Sequence, residues 1–322
     1  MLYRLFSAVA ASVVAFACTS SPSQAQAAWP KEKTIRWLVG VAPGGGADPI
    51  TRAVTERLSR AIGATIVVEN KPGGNQSIAA NELARSEPDG YTIMTVAGPT
   101  LYSQPVPEIG NGLDPVAHLS TGPLLLAGTT KRNLADLRSL IAAMKDKPDD
   151  WSYGTAGVAT VHHIAGELIN TTVGAKMEMV PYRGGAIAVN DAIAGHIPLI
   201  IIGIGPLIPH VQSNALRGYG VTAKERFPLL PAVPTIAEAG LPGLELSQNF
   251  GVAVRSGTPK ELVEQLNREI NAILATEEIK NFFLSQGAIA QHSTPEQWGD
   301  FYAAKKKEMS ALAKRLGIEV LN

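Results

Sequence analysis

The chain is short of the features that most often announce an activity. It has a single cysteine, Cys18, in 322 residues, and aromatic side chains make up only 6%. Neither sign of charge dominates, with 28 lysines and arginines against 28 aspartates and glutamates. One cysteine excludes a disulfide framework, so stability must come from a buried core, which a chain of this length can build. Balanced charge offers no basic face to nucleic acid or to an anionic membrane. Few aromatics argue against a base-stacking surface. No apolar run after residue 17 is long enough to span a bilayer. Three catalytic signatures are also missing: G-x-x-x-x-G-K-[ST], G-x-S-x-G and H-E-x-x-H. Gly44-x-Gly46 opens a dinucleotide fingerprint, but its third glycine position is Pro49.

What is present begins with an address. Arg4 precedes an apolar run from Leu5 to Ala17, and Ala25-Gln26-Ala27 supplies a small-residue cleavage pattern. This predicts an export signal over 1–27, removed after Ala27, and a mature chain without a thiol. A lipid-modified Cys18 is the disfavoured alternative, because "AFAC" lacks the leucine usual three residues before such a cysteine. The expected location is the periplasm.

From Thr34 onward strands and helices alternate. "TIRWLVGV", "TIVVE" and "YTIMTVA" read as strands, separated by a helix with Ile50, Val54 and Leu58 at four-residue spacing and by "SIAANELARS". Short connections between alternating elements predict parallel strands with right-handed crossovers, hence an open α/β sheet. A second α/β unit runs from "WSYGTAG" to "LRGYGVTA", and a proline-rich connector separates it from a final strand, "NFGVAV". Three helices close the chain. Thr258-Pro259 with Glu261, and Thr294-Pro295 with Gln297, predict two of their N-termini.

In open α/β sheets ligands collect beyond the carboxyl ends of the strands. Four loops rich in glycine and small residues occupy that position: 44–47, 69–77, 153–160 and 182–186. Asp48, followed by Pro49, predicts an N-cap, and the amides of Gly44 to Ala47 then face outward at the positive end of a helix dipole. Such a terminus binds an anion without a basic side chain. His163 and Glu167 stand four apart with His162 adjacent, but spacing places no third ligand, so no metal site is expected. No cofactor is expected either.

In order along the mature chain, Pro43-Gly44-Gly45 with Asp48, "NKPGG", "PDGYTI", "YGTAG" with His163, "VPYRGGA", "LPAVPTIAEAG" and "SGTPKELVEQLNREINAIL" resemble the extracytoplasmic receptors of tripartite tricarboxylate transporters, the Bug receptor family. The resemblance implies a two-lobed periplasmic-binding-protein fold (type II-like), two open sheets flanked by helices with a ligand cleft between. It places lobe 1 at 28–127 plus 250–322 and lobe 2 at 128–249, with "LLLAGTT" and "NFGVAV" as the crossovers of a hinge. It implies a small carboxylate ligand, delivery to membrane transporter subunits, and a monomer. It assigns ligand binding to Pro43, Gly44, Gly45 and Asp48 in lobe 1, and to Thr155, Ala156, Thr160, His163, Tyr182, Gly184, Gly185 and Ala186 in lobe 2.

The chain departs from the family pattern at Ile187, Pro198, Ile202 and Phe250, and the segment after Pro105 is short. With Ile187, Pro198 and Ile202 as an apolar wall, the expected ligand is a monocarboxylate with an apolar body. Two rivals stand beside this reading. One is a receptor of the same fold that signals to a membrane kinase. The other is an exported enzyme with His163 as general base, disfavoured because no nucleophile or oriented triad accompanies it.

Overall fold

The computed structural model describes residues 29, 30, 32–99, 101 and 105–318. The expected export signal, with Cys18, lies outside the described residues. β1 (Ile35–Val39) buries Ile35, Trp37 and Val39 on one face and Leu38 on the other, as a strand covered on both sides requires. Next come α1 (Ala47–Ile62), β2 (Ile66–Asn70), α2 (Ser77–Arg85) and β3 (Thr92–Ala97), the alternation expected from the sequence. β4 (Glu108–Ile109) then leads into β5 (Gly112–Thr129), a strand of 18 residues.

The second unit holds α3 (Leu137–Asp146), β6 (Ser152–Thr155), α4 (Val161–Val173), β7 (Glu178–Pro181), α5 (Gly185–Ala194), β8 (Leu199–Gly203), α6 (Ile208–Gln212) and β9 (Leu216–Val221). The chain ends with β10 (Ser247–Arg255), α7 (Lys260–Leu274), α8 (Glu277–Ser285), β11 (Ile289–Ala290) and α9 (Pro295–Leu316).

β5 belongs to two sheets. Up to Pro123 it pairs antiparallel with β10, which pairs antiparallel in turn with β3, the edge of the parallel set β3, β1, β2. From Leu124 onward it pairs with β8 and β9, and β8 continues in parallel to β6 and β7. The molecule is therefore two-lobed, with each open sheet flanked by helices. The two strand passages between lobes are pinned together by Thr222, whose hydroxyl accepts from the Leu124 amide (2.9 Å) and donates to the Leu246 carbonyl (2.5 Å).

Each sheet is packed on both faces. In the first lobe α1, α7 and α8 cover one core, while α2 and the start of α9, through Trp298 and Tyr302, cover the other. In the second lobe α5 and α6 lie on one face and α3 and α4 on the other. The end of α9 joins this last core, burying Met309 and Ala313. Thr294 caps α9 as expected, in a reciprocal box with Gln297. Thr258 does not cap α7. Pro259 holds that place, and the Thr258 hydroxyl donates to the Arg255 carbonyl instead (2.7 Å).

Candidate functional site

The four loops leave the carboxyl ends of β1, β2, β6 and β7. In the first, Gly44 takes φ +77°, a conformation only glycine adopts without strain. Asp48 is not the N-cap: α1 starts a residue before it, with Gly46 at the cap and no side-chain bond there. The Asp48 carboxylate folds back instead, accepting from the Gly44 amide (3.0 Å), Asn70 Nδ2 (2.9 Å) and Arg52 Nε (3.1 Å). Burial opposes its ionisation, yet bonds from Arg52, Gly44 and Asn70 together hold its pKa below the usual aspartate value. The Gly45 amide is also used within the loop, by the Ala42 carbonyl (3.0 Å). Of the amides expected to face outward, those of Gly46 and Ala47 alone lack a partner among the described residues. Pro43 and Gly44 stay exposed at the rim.

The third loop is self-supporting. Thr155 Oγ1 accepts from the Gly157 amide (3.2 Å), and Thr160 caps α4 through the His163 amide (3.4 Å). His163 Nδ1 accepts from the Ala159 amide (3.2 Å), and its Nε2 lies 4.0 Å from Glu167 Oε1. Burial lowers the His163 pKa more than Glu167 raises it, so the ring is neutral near pH 7. Its one lone pair is taken by backbone. The general base of the enzyme reading has no free nitrogen with which to act.

At the fourth loop the Tyr182 amide donates to the Thr155 carbonyl (3.0 Å) and its hydroxyl to Asp191 Oδ2 (2.7 Å). Burial and that carboxylate raise the phenol to about 12. Gly184, at φ +129°, is the N-cap of α5, with open space where a Cβ would stand, and Gly185 and Ala186 form the first turn. Ala156, in the third loop, is half-buried.

The expected apolar wall does not form. Pro198 precedes β8 and binds Thr129 through its carbonyl, at the end of the strand opposite the cleft. Ile187 is 52% exposed on α5. Ile202 is 2% exposed and packs beneath α5 with Ala188 and Val189. The strand's pleat turns it into the core.

Three residues outside the expected set join the lobes. Asn75, in the second loop, donates from Nδ2 to the Val158 carbonyl of the third (2.6 Å). Gln248, at the start of β10, meets His162 of α4, with Oε1 and Nε2 3.1 Å apart. A Cβ on Gly203 would stand 2.5 Å from both Nε2 and Oε1 of Gln248, and one on Gly46 would stand 3.3 Å from Nε2. Gln248 is therefore the common neighbour of the first turn of α4, the cap of α1 and the end of β8. Asn75 lies in a loop the sequence singles out, and His162 beside a candidate residue. Gln248 carries no local signal, because only the pairing of β10 with β5 brings it to the cleft.

Among the described residues no group of three or more His, Cys, Asp or Glu is placed to hold a metal ion, and no helix is long and apolar enough to cross a membrane. Two lobes on a shared pair of strands, with helices starting at the carboxyl edges of both sheets, have the architecture of a two-lobed periplasmic-binding-protein fold. The family model "Tripartite tricarboxylate transporter family receptor" (TctC) matches residues 50–318, and the chain belongs to that family of transport receptors, the Bug receptors, rather than to a family of catalysts. It is 32% identical over 307 residues to a UPF0065 protein from the tcbD-tcbE intergenic region of Pseudomonas sp. (strain P51), covering 93% of this chain and 91% of that one. Among solved structures, a periplasmic transporter superposes with TM-score 0.85 at 31% identity, covering 91% of this chain and 100% of that one. R. palustris Rpa4515 with adipate superposes with TM-score 0.86 at 28% identity, covering 90% and 99%.

Proposed function

We propose that this receptor works in the periplasm, binds a small carboxylate between its lobes and delivers it, as a monomer, to the membrane subunits of a tripartite tricarboxylate-type transporter. The observation that carries the reading is that the Gly46 and Ala47 amides at the start of α1 have no acceptor among the described residues, while α1, α4 and α5 all begin at the carboxyl edges of the two sheets. A carboxylate accepts hydrogen bonds only, and suits such donors beside positive dipole ends. Pro43, Gly44, Gly45 and Asp48 shape the first terminus. Thr155, Ala156, Thr160 and His163 shape the second, and Tyr182, Gly184, Gly185 and Ala186 the third. Asp48 acts by holding its loop in shape, its carboxylate being engaged within the protein, and His163 holds the third loop through Nδ1. The adipate of Rpa4515 belongs to that protein; it makes an aliphatic dicarboxylate a reasonable probe here.

The test is calorimetric titration of the mature chain against hexanoate, adipate, malate, citrate and glutamate, with the corresponding amides as controls. Saturable binding of at least one acid, and of no amide, is expected. Binding of none of the acids, or equal binding of acid and amide, rejects the carboxylate reading.

A further inference from the structure

We propose that Gln248 is a ligand-recognition residue at the floor of the cleft, donating a side-chain N–H to a carboxylate oxygen, and that His162 is the positioning residue that aims it. The proposal rests on the carboxylate reading above and adds which side chain selects the ligand. Gln248 is half-buried on β10, where that strand enters the first lobe. Gly203 leaves the space its amide occupies, since a Cβ there would stand 2.5 Å from both polar atoms.

The amide faces His162 with Oε1, and the ring holds it so: its Nδ1 is buried without a partner among the described residues, which favours the proton on Nε2. The ring is 9% exposed and packed in the first turn of α4, and burial pushes its pKa down to about 4. A neutral imidazole whose Nε2 faces the Oε1 carbonyl at 3.1 Å carries its proton on Nε2 and donates it. Oε1 is thereby engaged, and Gln248 offers the cleft donors only. Its Nε2 lies toward Gly46, whose own amide is unpartnered, as is that of Ala47.

The Gly46 and Ala47 amides have no acceptor among the described residues, and the Gln248 side-chain N–H group lies beside Gly46. A group rich in lone pairs fits there. A ligand ammonium set against these donors would desolvate without compensation. The cleft should therefore take carboxylates without a neighbouring amine.

The test compares adipate with 2-aminoadipate on the whole mature protein. Wild type should bind adipate at least tenfold more tightly. Gln248→Leu, which keeps the volume and removes the donors, should weaken adipate binding by about ten- to a hundredfold. Gln248→Glu should weaken it further and narrow the preference against the amine. The side-chain amide resonance of Gln248 in wild type should shift on adipate titration. His162→Phe should abolish that shift and weaken binding, while His162→Gln, which restores a donor, should recover part of both.

Wild-type affinity for adipate in both Gln248 variants, or an unmoved Gln248 resonance at saturation, overturns the proposal and leaves the carboxylate reading standing. Failure of wild type to bind adipate or any acid of the wider panel overturns both.

Discussion

At the scale of single residues, two buried histidines set the acid limit of the fold. His118 stacks on Trp298 at 4.5 Å between ring centroids, and His162 sits behind the cleft. Burial pushes both from the ordinary 6.5 down to about 4. Between those values the unfolded chain binds protons that the folded chain refuses. Stability should therefore fall as pH drops from about 6.5 toward 4, by on the order of 3 kcal/mol for each ring. The carboxylates act lower: Glu69, held down to about 2 chiefly by Arg36, loses its contribution only below the ordinary 4.5. Thermal melts from pH 7 to 4.5 should show the slope, and His118→Gln should reduce it, His162 and His163 supplying the rest, even if the variant is less stable throughout. An unchanged slope would mean that His118 protonates in place. Asp48 makes a second prediction. Asp48→Ala removes an acceptor shared by the Gly44 amide, Asn70 and Arg52, leaving Asn70 its bond to the Val41 carbonyl, and should cost about 1–2 kcal/mol in chemical denaturation.

At the scale of elements, legibility followed local signals and failed where the signal was not local. The strands β1, β2 and β3 and the helices between them could be read because apolar period and turn residues agree. Thr294 could be read as a cap, and Thr294→Ala should destabilise the fold by ~1 kcal/mol, measured by urea titration. The same mutation at Thr258 should cost α7 no cap, since Pro259 begins that helix. The first half of β5 escaped notice because Pro115 and Pro123 argue against a strand. The structure places Pro115 beside a register shift against β10 and Pro123 at the change of sheets, two points where a missing N–H costs little. The helix α3 was legible in retrospect, with Asp136 and Ser139 forming a capping box. The glycine-rich loops could be found from composition. Which of their amides remain free could not, because Asp48 and Ala42 reach back within the loop and no pattern encodes that. Gln248 was hidden for the opposite reason, its neighbours lying far away in sequence.

At the scale of the molecule, the lobes meet through Asn75 and Val158 as well as through Gln248 and His162. Both contacts span the two lobes, so a hinge that closes over ligand should hold them shut: ligand should reduce the radius of gyration in X-ray scattering and raise the melting temperature by linkage. Asn75→Ala should weaken binding severalfold without changing the unliganded melting point much, a split that calorimetry and thermal melts together resolve. Equal scattering with and without saturating ligand would show that no closure occurs. The path of α9 sets a limit of another kind. It starts on the core of Trp298 and Tyr302 and ends on the core of Met309 and Ala313. A gene fragment covering 124–246 would thus encode a half-protein whose interior is missing the last turns of α9, and the complementary fragment would expose an apolar helix end. Neither half should be expressible as a soluble piece. Recombination that exchanges lobes between relatives should succeed only when the end of α9 travels with the second lobe.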